Sequence, residues 1–245
     1  MARKEMIAYL MFFFCPKKNF NKIYRPKVLS LLLVFILWNS HNLLLVKISA
    51  KTPLSESLST IQSKALSGDA HYQGVLALFH KFGERGLAID LVEAERWAKL
   101  AAEKDGALGL CTLASISLES GKSSRGHFLY DEAYLHSNLL PLAKAKDPLA
   151  LYCLGMIAMD NPPRNFSKAI RHLQASAEKG FATAQATLGM IYFTGIGVKK
   201  DSNQAIKWCS RAAKVKLPLG MFYLGMAYSI GDGVEKNDDY SLRWI

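Results

Sequence analysis

The chain has 245 residues, half of them apolar, and a formal net charge of +11. This length fits one ordinary domain or one long repeat array. The charge is uneven, because residues 1–51 hold nine Lys and Arg and the single acid Glu5, a net of +8, and the remaining 194 residues carry only +3. The body therefore shows no basic stripe typical of a nucleic-acid-binding protein, and we predict no nucleic-acid partner.

The first 50 residues read as a basic leader with an apolar core. A continuous apolar run, Val28 to Trp38, follows a basic stretch, and a second short run, Leu43 to Val46, precedes the small residue Ala50. This pattern is typical of a secretory signal peptide. An uncleaved anchor is the alternative, because residues 28–46 nearly reach the length that spans a bilayer. Both interpretations predict an exported or membrane-anchored body, and a cytosolic body with a misread start remains open.

A period in the mid-thirties runs through the rest of the chain. Three Leu-Gly pairs, beginning at Leu154, Leu188 and Leu224, are spaced by 34 and 36 residues. A second register, spaced by 39, 36, 36 and 36 residues, consists of Trp97, His136, His172, Trp208 and Trp244. Such a period indicates a repeat protein. Each unit is predicted to contain helix A, which carries the Leu-Gly pair, and helix B, which carries the Trp or His.

The predicted boundaries of helix B have their own signals. An Asx residue stands seven positions before the Trp or His of four units, at Asp90, Asn165, Asp201 and Asn237. Asx at this place accepts hydrogen bonds from the first turn of a helix, and Asp90 with Glu93 and Asp201 with Gln204 resemble capping boxes. The preceding loops, "GIGV" from Gly195 and "GDGV" from Gly231, supply two glycines for positive φ.

Together these positions resemble the SEL-one-like repeat (SLR) family, a relative of the tetratricopeptide repeat. The matching residues, in order, are Ala184, Leu188, Gly189, Tyr192, Gly195, Gly197, Val198, Asp201, Ala205 and Trp208. The match is specific for residues 181–216 and 217–245, weaker for 147–180 and 69–105, and degenerate for 106–146. The resemblance implies an all-α fold, an α-solenoid of stacked helix-turn-helix hairpins, and a role as a protein-binding scaffold.

The predicted organisation has three parts. Residues 1–50 form the leader, residues 51–66 form a Ser-, Thr- and Pro-containing linker, and residues 67–245 form about five hairpins. The last hairpin is expected to be incomplete, because the sequence stops one turn into its helix B at Trp244. We expect either a truncated array or one that another chain completes.

One face of helix A is the candidate partner-binding surface. On a helical wheel, one Met per repeat falls on the same side, flanked by aromatic residues. The six candidate residues are Tyr152, Met156, Met190, Phe193, Phe222 and Met226. In the resembling families this side lines a groove, and a Met- and aromatic-rich groove suits an apolar peptide or helix. The alternative is that these residues pack against the next hairpin.

Signals for catalysis are weak. The six histidines form no H-x-x-x-H spacing, and Cys15, Cys111, Cys153 and Cys209 form no C-x-x-C pair, so we predict no metal, no cofactor and no enzyme activity. The three cysteines of the body are predicted to be buried thiols. Two other functions stay open: an envelope hydrolase of the disulfide-rich SLR type, and a truncated, nonfunctional repeat fragment. A protein or peptide partner is expected, with possible membrane association through residues 28–46.

Overall fold

The computed structural model describes residues 53–104 and 106–244, so the predicted signal or anchor in residues 1–50 lies outside the described residues. These ranges contain helices and no strand. The α-helices are α1 Leu58–Leu66, α2 Ala70–Phe82, α3 Leu91–Glu103, α4 Ala107–Glu119, α5 Ser123–Leu135, α6 Leu139–Lys144, α7 Pro148–Asp160, α8 Phe166–Glu178, α9 Ala182–Thr194, α10 Ser202–Lys214, α11 Pro218–Ile230 and α12 Asp238–Leu242. Two short 3₁₀ helices span Pro53–Ser55 and Glu84–Gly86.

Ten of these helices pair into hairpins, which confirms the all-α fold of stacked hairpins. Helices α2, α4, α7, α9 and α11 take the place of helix A, and α3, α5, α8, α10 and α12 take the place of helix B. Each helix A packs on the helix B of its own hairpin, and α3, α5, α8 and α10 each contact the next helix A. A single hairpin exposes its apolar face, so the core forms between neighbours.

The Leu-Gly pair brings the two helices of a hairpin together. Leu154, Leu188 and Leu224 are all buried. A Cβ on Gly155 would lie 2.7 Å from Leu173 Cγ of α8, and a Cβ on Gly189 would overlap Cys209 Sγ of α10. Glycine is therefore required here by the close approach of helix B.

The Asx residues cap helix B as predicted, but the capping boxes do not form. Asp201 Oδ1 accepts a hydrogen bond from Gln204 N at 2.9 Å, and Asn165 and Asn237 do the same in their hairpins. The backbone N–H of Asp201 donates to the carbonyl of Tyr192, which stands where the Gln204 side chain was expected. The same bond joins Asp90 N to His80 O, and Glu93 pairs instead with Arg96 at 2.7 Å.

The paired glycines take positive φ as predicted. Gly195 and Gly197 have φ of 74° and 70°, and Gly231 and Gly233 have 73° and 75°. The second glycine has a further role, since a Cβ on Gly197 would overlap the Phe166 ring at the start of α8. The loop of one hairpin therefore lies directly on helix B of the preceding one.

Residues 53–66, expected to be a linker, contain a packed helix. Ser57 Oγ accepts from Thr60 N at 3.2 Å and begins α1. Ile61 and Ala65, one helical turn apart, are fully buried against α2. Two apolar residues at this spacing suffice to dock a short helix. The many polar residues around them led to the prediction of a linker.

None of the helices within residues 53–104 and 106–244 combines the length and the apolar character that crossing a bilayer demands.

Candidate functional site

Tyr152, the first candidate residue, lies in the protein interior. It is 3% exposed. Its ring meets Phe82 of α2 edge to face at a centroid distance of 5.9 Å, and Phe181 before α9 at 5.2 Å. The aromatic side chain therefore joins three hairpins and is not available to a partner.

Met156, the second candidate, lines a small cavity enclosed by α2, α4, α5 and α7. The other lining residues are Leu78, Phe82, Cys111, Ser115, Tyr130, Tyr152 and Cys153. The predicted column of inner-face residues is thus closed at its N-terminal end by the side chains of α2 and α4. Tyr152, and in part Met156, therefore pack against other hairpins, which is the alternative to partner binding that the sequence analysis left open.

The turn after α2 extends this closure to α9. The buried Glu84 carboxylate accepts hydrogen bonds at 2.7 Å from both the backbone N and the Oγ1 of Thr183. Burial raises the pKa of Glu84, and the two hydrogen bonds from Thr183 oppose that shift. The contact joins the first and fourth hairpins through residues 99 positions apart.

A second polar contact lies on the inner side of α2 and α4. The Lys81 side chain is 2% exposed, and its Nζ lies 2.6 Å from Glu119 Oε1 and 2.8 Å from Ser115 Oγ. Burial lowers the pKa of Lys81, and the neighbouring Glu119 carboxylate opposes this. The pair fastens the first hairpin to the second, with Lys81 buried and the Glu119 carboxylate partly exposed.

The remaining four candidates lie on α9 and α11, where the surface is more open. Met190, Phe193 and Met226 are half-buried, and Phe222 is 47% exposed. The ring of Tyr223, which the sequence analysis missed, lies between Phe193 at 5.4 Å and Phe222 at 5.2 Å. We call Phe193, Phe222 and Tyr223 the aromatic patch. Tyr223 lies just outside the face that the helical wheel selected. Its position next to Phe222 in the sequence was the only sign that it belongs to the same surface.

Lys200 adds a charge at the edge of the aromatic patch. Its Nζ lies 5.4 Å from the centre of the Phe193 ring and 2.7 Å from Asp232 Oδ2. The pairing lowers the pKa of Asp232, chiefly through the hydrogen bond from Lys200. The patch is therefore apolar at its centre and polar at its rim, as protein-binding surfaces are.

A cleft between α5, α7 and α8 was not predicted from the sequence. It holds about 660 Å³ of space open to solvent. Its lining is Asp131, Tyr134, Leu154, Ile157, Ala158, Asn161, Pro162, Pro163, Asn165 and Lys168. Asn161 Nδ2 donates to Asp131 Oδ1 at 2.7 Å, which ties the loop before α8 to α5. Its residues come from three helices and a proline-containing loop, so no single sequence motif marks it.

The cysteines of the body are buried, as predicted. Burial raises the pKa of Cys209 to about 12 and that of Cys153 well above its ordinary value. These thiols stay protonated at neutral pH and are poor nucleophiles. Within residues 53–104 and 106–244, no group of three or more His, Cys, Asp or Glu is placed to hold a metal ion.

Comparison with known proteins gives one family. The family model described as "Sel1 repeat" matches residues 70–106, 145–181, 182–215 and 218–245. No curated protein matches the chain. The degenerate second unit, around residues 106–146, falls largely between the matched segments, in agreement with its weak pattern.

Several solved structures are similar to the chain. A Sel1 repeat protein from Oxalobacter formigenes is 23% identical, with 73% of this chain and 71% of that chain covered and a TM-score of 0.42. A protein described as a Sel1 repeat protein from Klebsiella pneumoniae is 21% identical, with 77% and 90% covered and a TM-score of 0.47. The protective antigen c5321 of uropathogenic Escherichia coli, which displays an SLR fold, is 26% identical, with 77% and 40% covered and a TM-score of 0.41.

Proposed function

The chain belongs to the Sel1 repeat family, whose members are generally protein-interaction scaffolds, and from this premise we propose that it is a non-catalytic scaffold that binds a protein or peptide partner on its helical hairpins. The hairpins provide a rigid framework, since their cores are buried and the inner charged groups Glu84 and Lys81 are paired. A framework of this kind recognises a partner through shape and apolar contact.

The aromatic patch is the observation that carries this proposal. Phe222 leaves nearly half of its surface exposed beside two further rings. Burying a fully exposed Phe side chain contributes about 1.5–3 kcal/mol, so covering the exposed half of Phe222 contributes about half of that. An amphipathic helix or an extended apolar segment laid across α9 and α11 covers these rings. Met190 and Met226, both half-buried nearby on the same helices, add adaptable contacts.

The location of the patch narrows the predicted surface. Tyr152 is packed inside, and Met156 borders an enclosed cavity, so the column of candidates is not open along its whole length. The proposed partner engages Phe193, Phe222 and Tyr223 and does not extend to the inner side of α7.

The place of action remains part of the proposal. The basic, apolar leader of residues 1–50 supports export or membrane anchoring of the body, with residues 28–46 as the candidate anchor. Partners are accordingly sought first among exported and membrane-bound proteins.

Site-specific photo-cross-linking in the source cells tests the scaffold function. A photoreactive residue at Phe193 is expected to cross-link one predominant polypeptide, because that position contacts Tyr223, whose ring adjoins the exposed ring of Phe222. The same residue placed at the exposed Glu103 on α3 is the control. The cross-linked polypeptide is identified by mass spectrometry, purified and titrated against the full chain by calorimetry.

A second variant ties the binding to the patch. Phe222→Ala is expected to weaken the measured affinity by at least about tenfold, as truncation of a central interface aromatic does, and Phe128→Ala, an exposed ring on α5, is expected to have no effect. Equal cross-linking at positions 193 and 103, or an affinity that ignores Phe222→Ala, would contradict the proposed site.

A further inference from the structure

Basic side chains are concentrated in one part of the body. Residues 164–216 contain ten Lys and Arg and only two acids, a net of +8. Residues 53–163 carry −3 and residues 217–245 carry −2. The small net charge of the body thus conceals a strong segregation, which the total over 194 residues does not reveal.

The structure places these charges on the outer side of two equivalent helices. Helix α9 contains no charged residue, so the charges belong to α8, α10 and the adjoining loops. Arg171 and Lys207 occupy the same position in successive hairpins, 36 residues apart, and both are exposed. On α10, Arg211 and Lys214 continue the same exposed stripe. We call Arg171, Lys207, Arg211 and Lys214, with the half-buried Lys168, the basic face.

The cations of the basic face have no acidic partners within the described residues. On α3, which takes the same place in the first hairpin, Arg96 pairs with Glu93 at 2.7 Å and Lys99 with Glu95 at 2.8 Å. None of the five cations of the basic face forms such a pair in residues 53–104 and 106–244. Like charges one helical turn apart, as at Lys207 and Arg211, destabilise a helix. Helix α10 keeps this unfavourable arrangement and has no acid that relieves it.

Aromatic rings hold several of these cations in place. Lys207 Nζ and Arg211 Cζ lie 5.2 Å and 4.7 Å from the centre of the Trp208 ring. Lys168 Nζ lies 5.5 Å from the Tyr134 ring, at the edge of the cleft between α5, α7 and α8. Burial first, and then the charges of Lys168 and Arg171, lower the pKa of the half-buried neighbour His172, so the local field is positive. Three of the five cations of the basic face are thus held against aromatic rings.

We propose that the basic face on α8 and α10 docks an acidic segment of a protein partner. The inference rests on the proposed scaffold function and gives the charge of the partner. An acidic segment removes the repulsion along α10. It also pairs with cations of which three are already held against aromatic rings, so the loss of side-chain freedom at those three on binding is small.

The chemistry of the face favours protein over membrane or nucleic acid. The exposed positions of α8 and α10 are Ser167, Arg171, Glu178, Asn203, Lys207, Arg211 and Lys214. None is apolar, and the exposed Val215 directly after α10 is a single small apolar side chain, which is too little for insertion into lipid. None is aromatic, and Trp208 is 4% exposed, so no ring is available to stack on a base. The adjacent cleft, bordered by Lys168, has space for a side chain of a bound peptide.

Fluorescence anisotropy with the full chain tests the inference. The probes are a labelled Glu-rich peptide, the same peptide with every Glu replaced by Gln, a labelled DNA duplex, and vesicles containing phosphatidylserine. At about 50 mM salt the Glu-rich peptide is expected to bind and the Gln peptide is not, and the affinity is expected to fall at about 150 mM salt. The triple variant Lys207→Gln, Arg211→Gln and Lys214→Gln is expected to weaken binding about tenfold.

A matched control separates the site from the general charge. Lys122→Gln, Arg125→Gln and Lys144→Gln remove the same charge from exposed positions elsewhere, and this variant is expected to bind as the wild type does. Thermal unfolding of both variants establishes that they fold. Failure of the Glu-rich peptide to bind at low salt, equal losses in the two variants, or equal or tighter binding of DNA or vesicles would overturn the inference.

The outcome is distinguishable from a failure of the scaffold function. A partner cross-linked at the aromatic patch, whose affinity is unchanged by the α10 triple variant, leaves the scaffold function standing and overturns the acidic partner alone. A partner that loses affinity with both Phe222→Ala and the triple variant supports both.

Discussion

Gly189 lies where the two helices of one hairpin come closest. A Cβ there would overlap Cys209 Sγ and lie 3.1 Å from Cys209 N, so the backbone of α10 leaves little room for relaxation. The same geometry recurs at Gly155 against Leu173. The Leu-Gly pair of the repeat is therefore a packing requirement between helix A and helix B.

Gly189→Ala is expected to lower the free energy of unfolding by about 1–3 kcal/mol, the range typical of overpacked cores. Denaturant unfolding measures it. Asn203→Ala, at an exposed position on α10, serves as the control and is expected to have almost no effect. In a Cys209→Ala background the added methyl group should cost less, because its main obstacle is gone. If Gly189→Ala lowered the free energy of unfolding equally in both backgrounds, the strain would not come from the contact with Cys209 Sγ.

Glu84 illustrates how burial and hydrogen bonding compete at one carboxyl group. Its folded-state pKa is raised above the ordinary value of 4.5, mainly by burial. Below that value the group is protonated in both folded and unfolded states, so its contribution to stability is fully present. As the pH rises through the raised pKa, the folded state must bury a charge and that contribution is lost.

The free energy of unfolding of wild type minus that of Glu84→Gln is therefore expected to fall as the pH is raised from about 4 to about 8. Taking this difference cancels the other titrating groups, and Glu235→Gln, at an exposed loop position, should give a flat difference. Urea unfolding at several pH values provides the measurement. A difference that increases with pH would mean that the hydrogen bonds from Thr183 outweigh burial and that the pKa is lowered.

Helix α1 is a single element whose formation depends more on the packing of two side chains than on its polar composition. Ile61 and Ala65 have no exposed surface, whereas Leu66 at the end of the same helix is 75% exposed. Ile61→Ala is expected to cost about 2–5 kcal/mol through lost burial and a cavity. Leu66→Ala on the same helix is expected to be nearly neutral. Thermal unfolding of the two variants decides the matter, and similar small effects would show that α1 is a detachable linker.

The elements that the sequence predicted are those specified locally. The Asx caps, the glycine pairs and the Leu-Gly positions stand at fixed offsets within one hairpin, and their physical causes lie within that hairpin or its neighbour. Two of the features that escaped prediction are the linker helix and the cleft. The linker helix depends on only two apolar residues, Ile61 and Ala65, and the cleft beside Lys168 draws on three helices.

The candidate surface was predicted only in part for the same reason. A helical wheel places Tyr152 and Phe222 on equivalent faces, but it contains no information on what lies opposite. Phe82 and Phe181 cover Tyr152, whereas the Phe222 ring meets its neighbour Tyr223 and stays 47% exposed. Equivalent positions in a repeat therefore differ in exposure when distant segments reach one of them.

Among the described residues, hairpins contact more than their immediate neighbours in the array. In a solenoid whose repeats contact only adjacent repeats, stability is approximately a sum of local terms. Here the first hairpin also reaches the third through the rings of Phe82 and Tyr152, and the fourth through Glu84 and Thr183. We expect these contacts to couple the opening of α2 to the opening of α9.

Hydrogen exchange measured residue by residue tests this coupling. Glu84→Ala removes the acceptor for Thr183 N and Oγ1, so amide protection is expected to fall in the first turn of α9 as well as around residues 83–86. Thr183→Val, which keeps the backbone donor and removes the hydroxyl, should produce a smaller loss at both places. Glu235→Ala, in the loop before α12, is the control and should change neither.

If the loss of protection in Glu84→Ala stops at residue 86, the hairpins open independently and the long-range contact contributes nothing to cooperativity. If protection falls in α2 and α9 together, an energetic link joins hairpins that are distant in sequence, and the array behaves as one cooperative unit.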